Sequence, residues 1–163
     1  MADGERHDVA VILAHDRAYT GSVALNLALP PDLPGRLARL GEAIAACSAD
    51  IEFAYLFGSA ATGRVTPRSD IDVAIHVAPG ADGQAVRLAV ARAAARQLAT
   101  DAVDVVLLNT APLSLSGRVL GSRQVIVERN PFARHAYESL TLRKFHDFRI
   151  REHRILAERR AHG

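Results

Sequence analysis

An α/β (α+β) domain, a small mixed sheet flanked by helices, is the fold class that the sequence predicts. Three observations predict it. Short β-rich apolar runs alternate with stretches of helical apolar spacing, in the order strand, loop, strand, helix, strand. Gly and Pro clusters separate these runs. The chain, at 163 residues with 49% hydrophobic and 23% charged residues, has material for one core and not for two.

The elements follow in chain order. Residues 8–29 (DVAVILAHDRAYTGSVALNLAL) are apolar but carry no hairpin turn, and read equally as one or two strands, a helix or an extension. Residues 1–30 are therefore set apart from a domain spanning 31–163. Pro30, Pro31 and Pro34 punctuate the chain before a helix over about 33–49, whose face carries Leu37, Leu40, Ile44 and Cys47. Ile51 to Phe57 (IEFAYLF) reads as a buried strand that ends at Gly58-Ser59. Asp70 to Val77 (DIDVAIHV) alternates, with Asp70, Asp72, Ala74 and His76 on one face and Ile71, Val73, Ile75 and Val77 toward the core. A helix over 84–99 and a third strand, Ala102 to Leu108, follow. A short helix over 112–121 closes at Gly121, and Val125 to Val127 adds a brief strand. Asn130-Pro131 supplies an N-cap and a first-turn proline for a helix running to about 158.

Composition narrows the functional classes. Cys47 is the one cysteine, which excludes an internal disulfide and a cysteine-based zinc site and points to a reducing cytoplasm. No apolar run approaches a membrane span, and the acidic residues in MADGERHD do not suit a secretory leader. A net charge of +2 gives no reason to expect direct nucleic-acid binding.

The chemistry concentrates in Phe57 to Asp72, F-G-S-A-A-T-G-R-V-T-P-R-S-D-I-D. Gly58 lets a phosphate approach the backbone where a strand turns into a helix, and the Ser59 hydroxyl can donate to it. Asp70 and Asp72, two apart in a strand, present both carboxylates on one face, a donor set suited to Mg²⁺ bridging to triphosphate oxygens. If the third strand lies beside the second, Asp104 completes a cluster of three and draws the proton from an attacking hydroxyl. Asp101 is the other candidate for that third carboxylate. Arg64 and Ser69 are further candidates for phosphate contact, although a loop serine equally caps its own backbone. A lone Gly-Ser or D-x-D is usually only a turn or a solvated edge. Four fixed residues at this spacing arise by chance in about one such chain in a thousand, which favours a shared purpose.

The pattern G-S-x10-D-x-D resembles the signature of polymerase-β-like nucleotidyltransferases, and residues 51–110 resemble their catalytic core. Val103 to Thr110 (VDVVLLNT), Pro112, Gly121 and V-E-R-N-P-F-A-R extend the resemblance to about residues 35–150. Together they resemble one subgroup, the minimal nucleotidyltransferases that act as antitoxins to HEPN-domain toxins. The resemblance implies that Gly58 and Ser59 contact the triphosphate of ATP. It also implies that Asp70 and Asp72 bind two Mg²⁺ and that Asp104 is the third catalytic carboxylate. The implied reaction places AMP on a tyrosine of a HEPN toxin. The chain departs at Thr62, where many relatives carry arginine, and Arg64 and Arg68 are the nearby cations. A small-molecule acceptor such as an antibiotic, or a toxin-binding module without catalysis, are the rival readings.

Other residues read more plainly. His76 is expected to be structural or solvent-facing, Cys47 to be core, and Ser114 and Ser116 lack an accompanying triad. On 130–163 the apolar residues Phe132, Tyr137, Leu140, Phe145, Phe148, Ile155 and Leu156 exceed what a lone surface helix needs. Part of that helix should dock on the domain and part on a protein partner.

Overall fold

The computed structural model describes residues 26–161, with side chains to residue 151. The expectations for residues 1–25, and for Ile155 and Leu156, lie outside that description. Residues 26–30 form neither helix nor strand.

Among the described residues there are six helices and four strands. They run α1 Leu33–Ala38, α2 Leu40–Cys47, β1 Ile51–Phe57, α3 Gly58–Ala61, β2 Ile71–Val77, α4 Gly83–Leu98, β3 Val103–Leu107, α5 Leu113–Ser122, β4 Gln124–Glu128 and α6 Pro131–Ala161. The strands form one mixed sheet in the order β3-β2-β1-β4, with β2 and β3 parallel and β1 antiparallel to both β2 and β4. The predicted fold class therefore holds, and element order is as read.

The single helix expected over 33–49 is two helices that break at Arg39. Gly41, just past the break, brings α2 so close to β4 that an added Cβ would collide with the Ile126 carbonyl oxygen. Gly41→Ala should consequently cost roughly 1–3 kcal/mol, since backbone on both sides leaves nowhere for the methyl to go. An unchanged urea midpoint would refute this close approach.

The expectation that only Ile71, Val73, Ile75 and Val77 face a core is corrected: the sheet is buried on both sides. One core lies under α1, α2 and α4 and includes Leu40, Ile44, Leu56, Val73, Ile75, Val90 and Leu98. A second lies under α5 and α6 and joins Phe53, Tyr55, Phe57, Ala74, Leu108, Val119 and Leu120. Ala74, on the face of the carboxylates, is fully buried there. An irregularity in β1 between Ile51 and Phe53 puts these two residues in opposite cores, where strict alternation would have put them in one.

The ends of the last elements are fixed by side chains. Helix α5 does not stop at Gly121 but continues to Ser122, because Ser122 and the extended Arg123 both reach partners described below. The Asn130 side-chain oxygen accepts from the Ala133 amide at 3.0 Å, the predicted N-cap of α6. Along α6, Tyr137 joins the second core, while Phe132 (83% exposed), Leu140 and Phe148 lie open. No helix among the described residues is long and apolar enough to cross a membrane.

Candidate active site

β1 ends at Phe57, and Gly58 turns the chain into α3 at a φ of +67°, a conformation that favours glycine. Its amide donates to the Ser122 hydroxyl oxygen at 3.1 Å, which ties the turn to the end of α5. Its carbonyl accepts from the amide and hydroxyl of Thr62, at 3.3 and 3.1 Å. Thr62, the position at which the chain departs from the resembling sequences, thus closes the single turn of α3. The Arg64 amide donates to the Ser59 carbonyl at 2.9 Å, so the loop leaves the turn in a fixed direction.

Register then brings the acidic residues to this turn. Phe57 is paired with Asp72 on β2, and Asp72 with Asp104 on β3. Paired residues on neighbouring strands share a face, so Asp72 and Asp104 stand side by side, both half-buried. A Cβ on Gly58 would collide with the Asp72 carboxylate oxygen, which means that this carboxylate occupies the room the missing side chain leaves. Asp70 lies one residue before the strand, which begins at Ile71, and is half-buried at its mouth.

Asp101 is engaged elsewhere. It is buried, accepts from the Asn26 amide at 2.9 Å and donates its own amide to the Asn26 carbonyl at 2.7 Å. Asp101 thereby pins the segment before α1 to the head of β3, and the carboxylate beside Asp72 is that of Asp104. Arg64 and Arg68 are exposed on the loop between α3 and β2. The Ser69 hydroxyl accepts from the Thr66 amide at 2.9 Å and lies 3.0 Å from the Thr66 hydroxyl, so it shapes that loop.

Among the described residues no three His, Cys, Asp or Glu side chains form a finished metal cage. Mg²⁺ rarely uses one: it takes one or two carboxylates and completes its octahedron with phosphate oxygens and water. Hard oxygen donors on adjacent strands, one of them seated against a glycine that a phosphate can also approach, fit that ion. Two neighbouring carboxylates also repel until a cation arrives.

His76 is structural, as expected. Its ring stacks on Phe53 with centroids 4.7 Å apart, and Nδ1 lies 3.0 Å from Glu52 Oε2. Burial lowers its pKa, against the opposing pull of Glu52. The Cys47 thiol donates to the Ile44 carbonyl at 3.0 Å, and burial raises its pKa, which keeps it an unreactive thiol.

Sequence reasoning missed the support behind the turn. Ser122 holds the Gly58 amide, and its neighbour Arg123 makes two 3.0 Å hydrogen bonds to the Glu138 carboxylate. Glu138 also accepts from the Tyr55 hydroxyl at 2.8 Å and from Arg134 at 2.9 Å. The one available signal was a glutamate amid arginines near the start of a long helix, indistinguishable from a solvated pair.

Gly58→Ala tests the cradle. The alanine must adopt a left-handed backbone, at roughly 1–2 kcal/mol, and must displace the Asp72 carboxylate. Nucleotidyl transfer should fall about a hundredfold, some 2.7 kcal/mol, while the thermal midpoint shifts only modestly. Wild-type turnover in Gly58→Ala would mean that the contact with Asp72 does not matter.

The chain was compared with known proteins. The model of the family described as polymerase beta, nucleotidyltransferase, matches residues 42–132. No curated protein matches. A toxin–antitoxin structure with AMP-PNP is 22% identical, with 76% of this chain and 95% of that chain covered at a TM-score of 0.60. The tri-AMPylated Shewanella oneidensis HEPN toxin in complex with MNT antitoxin gives 20% identity, 77% and 97% coverage and a TM-score of 0.58. The toxin–antitoxin MntA-HepT gives 21%, 77%, 97% and 0.57. These likenesses are of fold. The family match spans more than half of the chain, across both the Gly58 turn and the paired Asp72 and Asp104, and the chain belongs to the polymerase beta nucleotidyltransferase family.

Proposed function

We propose that this chain is an antitoxin-type nucleotidyltransferase that moves AMP from ATP to a hydroxyl, that of a tyrosine, on a cognate HEPN toxin. The observation that carries the reading is the placement of the Gly58 turn, at the end of β1, against Asp72 of β2, with Asp104 of β3 paired beside Asp72. The similar toxin–antitoxin structures, one with AMP-PNP and one of a tri-AMPylated HEPN toxin with MNT antitoxin, support the choice of nucleotide and partner. We take residues 31–163 as the functional domain and the cytoplasm as its location. The partners are ATP and the toxin, with no direct role for nucleic acid or membrane.

In this reading Gly58 and Ser59 receive the β- and γ-phosphates at the turn, and Arg64 adds positive charge from the loop, with Ser69 shaping it. Asp70, Asp72 and Asp104 would hold Mg²⁺, two ions being the expected number. Held there, such ions would supply charge compensation for the phosphate oxygens and would make the acceptor hydroxyl more acidic. The acceptor oxygen forms a new bond to the α-phosphorus as the bond from that phosphorus to the bridging oxygen breaks. Pyrophosphate leaves with the electron pair, and the acceptor proton passes to Asp104. Asp72, packed on Gly58, sets the distance between the phosphate turn and the reacting centre.

The test is incubation with labelled ATP, Mg²⁺ and the product of the adjacent gene, following label and mass on that protein. A mass gain of AMP is expected. A stable complex without transfer would replace this reading with that of a binding module, and neither complex nor transfer would point to a small acceptor.

A further inference from the structure

Asn26 is tied to the head of β3 through both its backbone and its side chain. Its amide donates to the Asp101 carboxylate at 2.9 Å, and its carbonyl accepts from the Asp101 amide at 2.7 Å and the Thr100 hydroxyl at 3.1 Å. Its side-chain amide donates to the Ala99 carbonyl at 3.2 Å. Both backbone groups of Asn26 thus meet one residue, Asp101. A hydrogen-bonded pair in an antiparallel ladder does this, whereas a residue in a parallel ladder bonds to two different partners. The Asp101 carboxylate stands in for its carbonyl, which instead accepts from the Val103 amide at 2.9 Å.

The same ladder can continue along β3. The Ile71 amide donates to the Ala102 carbonyl and the Leu108 amide to the Ile75 carbonyl, so even-numbered residues of β3 bond to β2. Val103, Val105 and Leu107 turn their backbone groups the other way, the side on which Asp101 meets Asn26. Among the described residues no further strand lies there, yet Val105 is only 2% exposed. Buried backbone groups call for hydrogen-bond partners. A chain running antiparallel upstream of Asn26 would set Ala24 against Val103, Ser22 against Val105 and Thr20 against Leu107.

The sequence suits that place. Residues 18–29 (AYTGSVALNLAL) carry neither charge nor proline, one or both of which usually guard a strand left at a sheet edge. A cavity of about 200 Å³ lies at the same edge, lined by Asp104, Val105, Leu107, Pro112 and Leu115 among others. Paired residues share a face, so Val23 would come beside Asp104.

We propose that residues 20–24 of this chain dock on the outer edge of β3 as a fifth strand, antiparallel to it, with Val23 beside Asp104 at the cavity. The segment thereby completes the sheet and walls one side of the acidic site. The inference stands apart from nucleotidyl transfer and holds whatever the acceptor is.

Two prolines test the register in the full-length chain. The Ser22 amide donates to Val105 in this ladder, so Ser22→Pro removes a bond, whereas the Val23 amide points away from β3 and Val23→Pro removes none. The readout is residue-resolved amide hydrogen exchange. In the wild type Val105 and Leu107 should exchange as slowly as Val106, which bonds to β2. Ser22→Pro should speed Val105 at least about tenfold, Val23→Pro less than about twofold, and Val106 should hold in both. Exchange at Val105 and Leu107 as fast as in exposed loops, or equal effects of the two prolines, would overturn the pairing. Protection that grows with chain concentration would assign the edge to a second copy, and protection only with the adjacent gene's product would assign it to a partner. Either would overturn the proposal.

Discussion

Asp72→Asn is expected to lower AMP transfer by about a thousandfold or more while leaving the fold as stable as before. The rate loss follows from charge. Amide for carboxylate removes a full negative charge from the centre that must hold Mg²⁺ against the triphosphate. Metal stabilisation of a phosphoryl transition state amounts to several kcal/mol, and about 4 kcal/mol is a thousandfold in rate. The amide keeps the volume and shape of the half-buried carboxylate on β2, so packing is undisturbed and the urea midpoint should change little. Asp104→Asn should behave alike, except that residual transfer at high pH should recover in part as solvent hydroxide takes the proton. Label transfer and urea denaturation on the same preparation check both halves. Transfer near the wild-type rate would remove Asp72 from the site, and loss of fold would mean that its role is structural.

How far the site was legible depends on how local its determinants are. Gly58, Ser59, Asp70 and Asp72 lie within fifteen residues, and strand alternation predicted Asp70 and Asp72 on one face, although β2 begins only at Ile71. The choice between Asp104 and Asp101 was not local. It turned on where β3 begins and how it registers with β2, and the pairing of Asp72 with Asp104 comes from tertiary contacts. Asp101 stayed open as the fallback because the sequence does not show that Asn26, 75 residues away, binds it. The break at Arg39 escaped for the same reason, since apolar spacing runs through it and the close approach of Gly41 to Ile126 just past it is a tertiary contact. The alternation of β2 was read rightly, but Ala74 looked like an outward residue because the helices covering it, α5 and α6, begin only at Leu113 and Pro131. The mean hydropathy of +0.06 carried no hint of a sheet covered on both faces.

Glu138→Gln should be the most destabilising single change outside the cores, at roughly 3 kcal/mol, because it breaks a buried ion cluster and leaves its cations in place. Glu138 is only 8% exposed, and its two oxygens receive Arg123, Arg134 and Tyr55. The glutamine cannot accept at both ends, so Arg123 and Arg134 would face each other with no anion between them. Burial by itself would raise the Glu138 pKa, but the hydrogen bonds from Arg123, Tyr55 and Arg134 outweigh it and hold the group at about 2, against an ordinary 4.5. The folded state therefore binds this proton more weakly than the unfolded chain. The stabilisation is complete above about pH 4.5 and is lost progressively as pH falls toward 2. Glu138→Gln should flatten that part of the acid-unfolding profile, and its urea midpoint should change little between pH 7 and pH 3 beyond what the remaining carboxylates contribute. The same cluster joins α6 to Arg123, the residue after the Ser122 that holds the Gly58 amide. Transfer should accordingly weaken in Glu138→Gln even under conditions where the variant is fully folded. If the single variant matched the wild type in both urea midpoint and acid profile, the cluster would be a surface ornament, and the link from α6 to the phosphate turn would have to be sought in apolar packing alone.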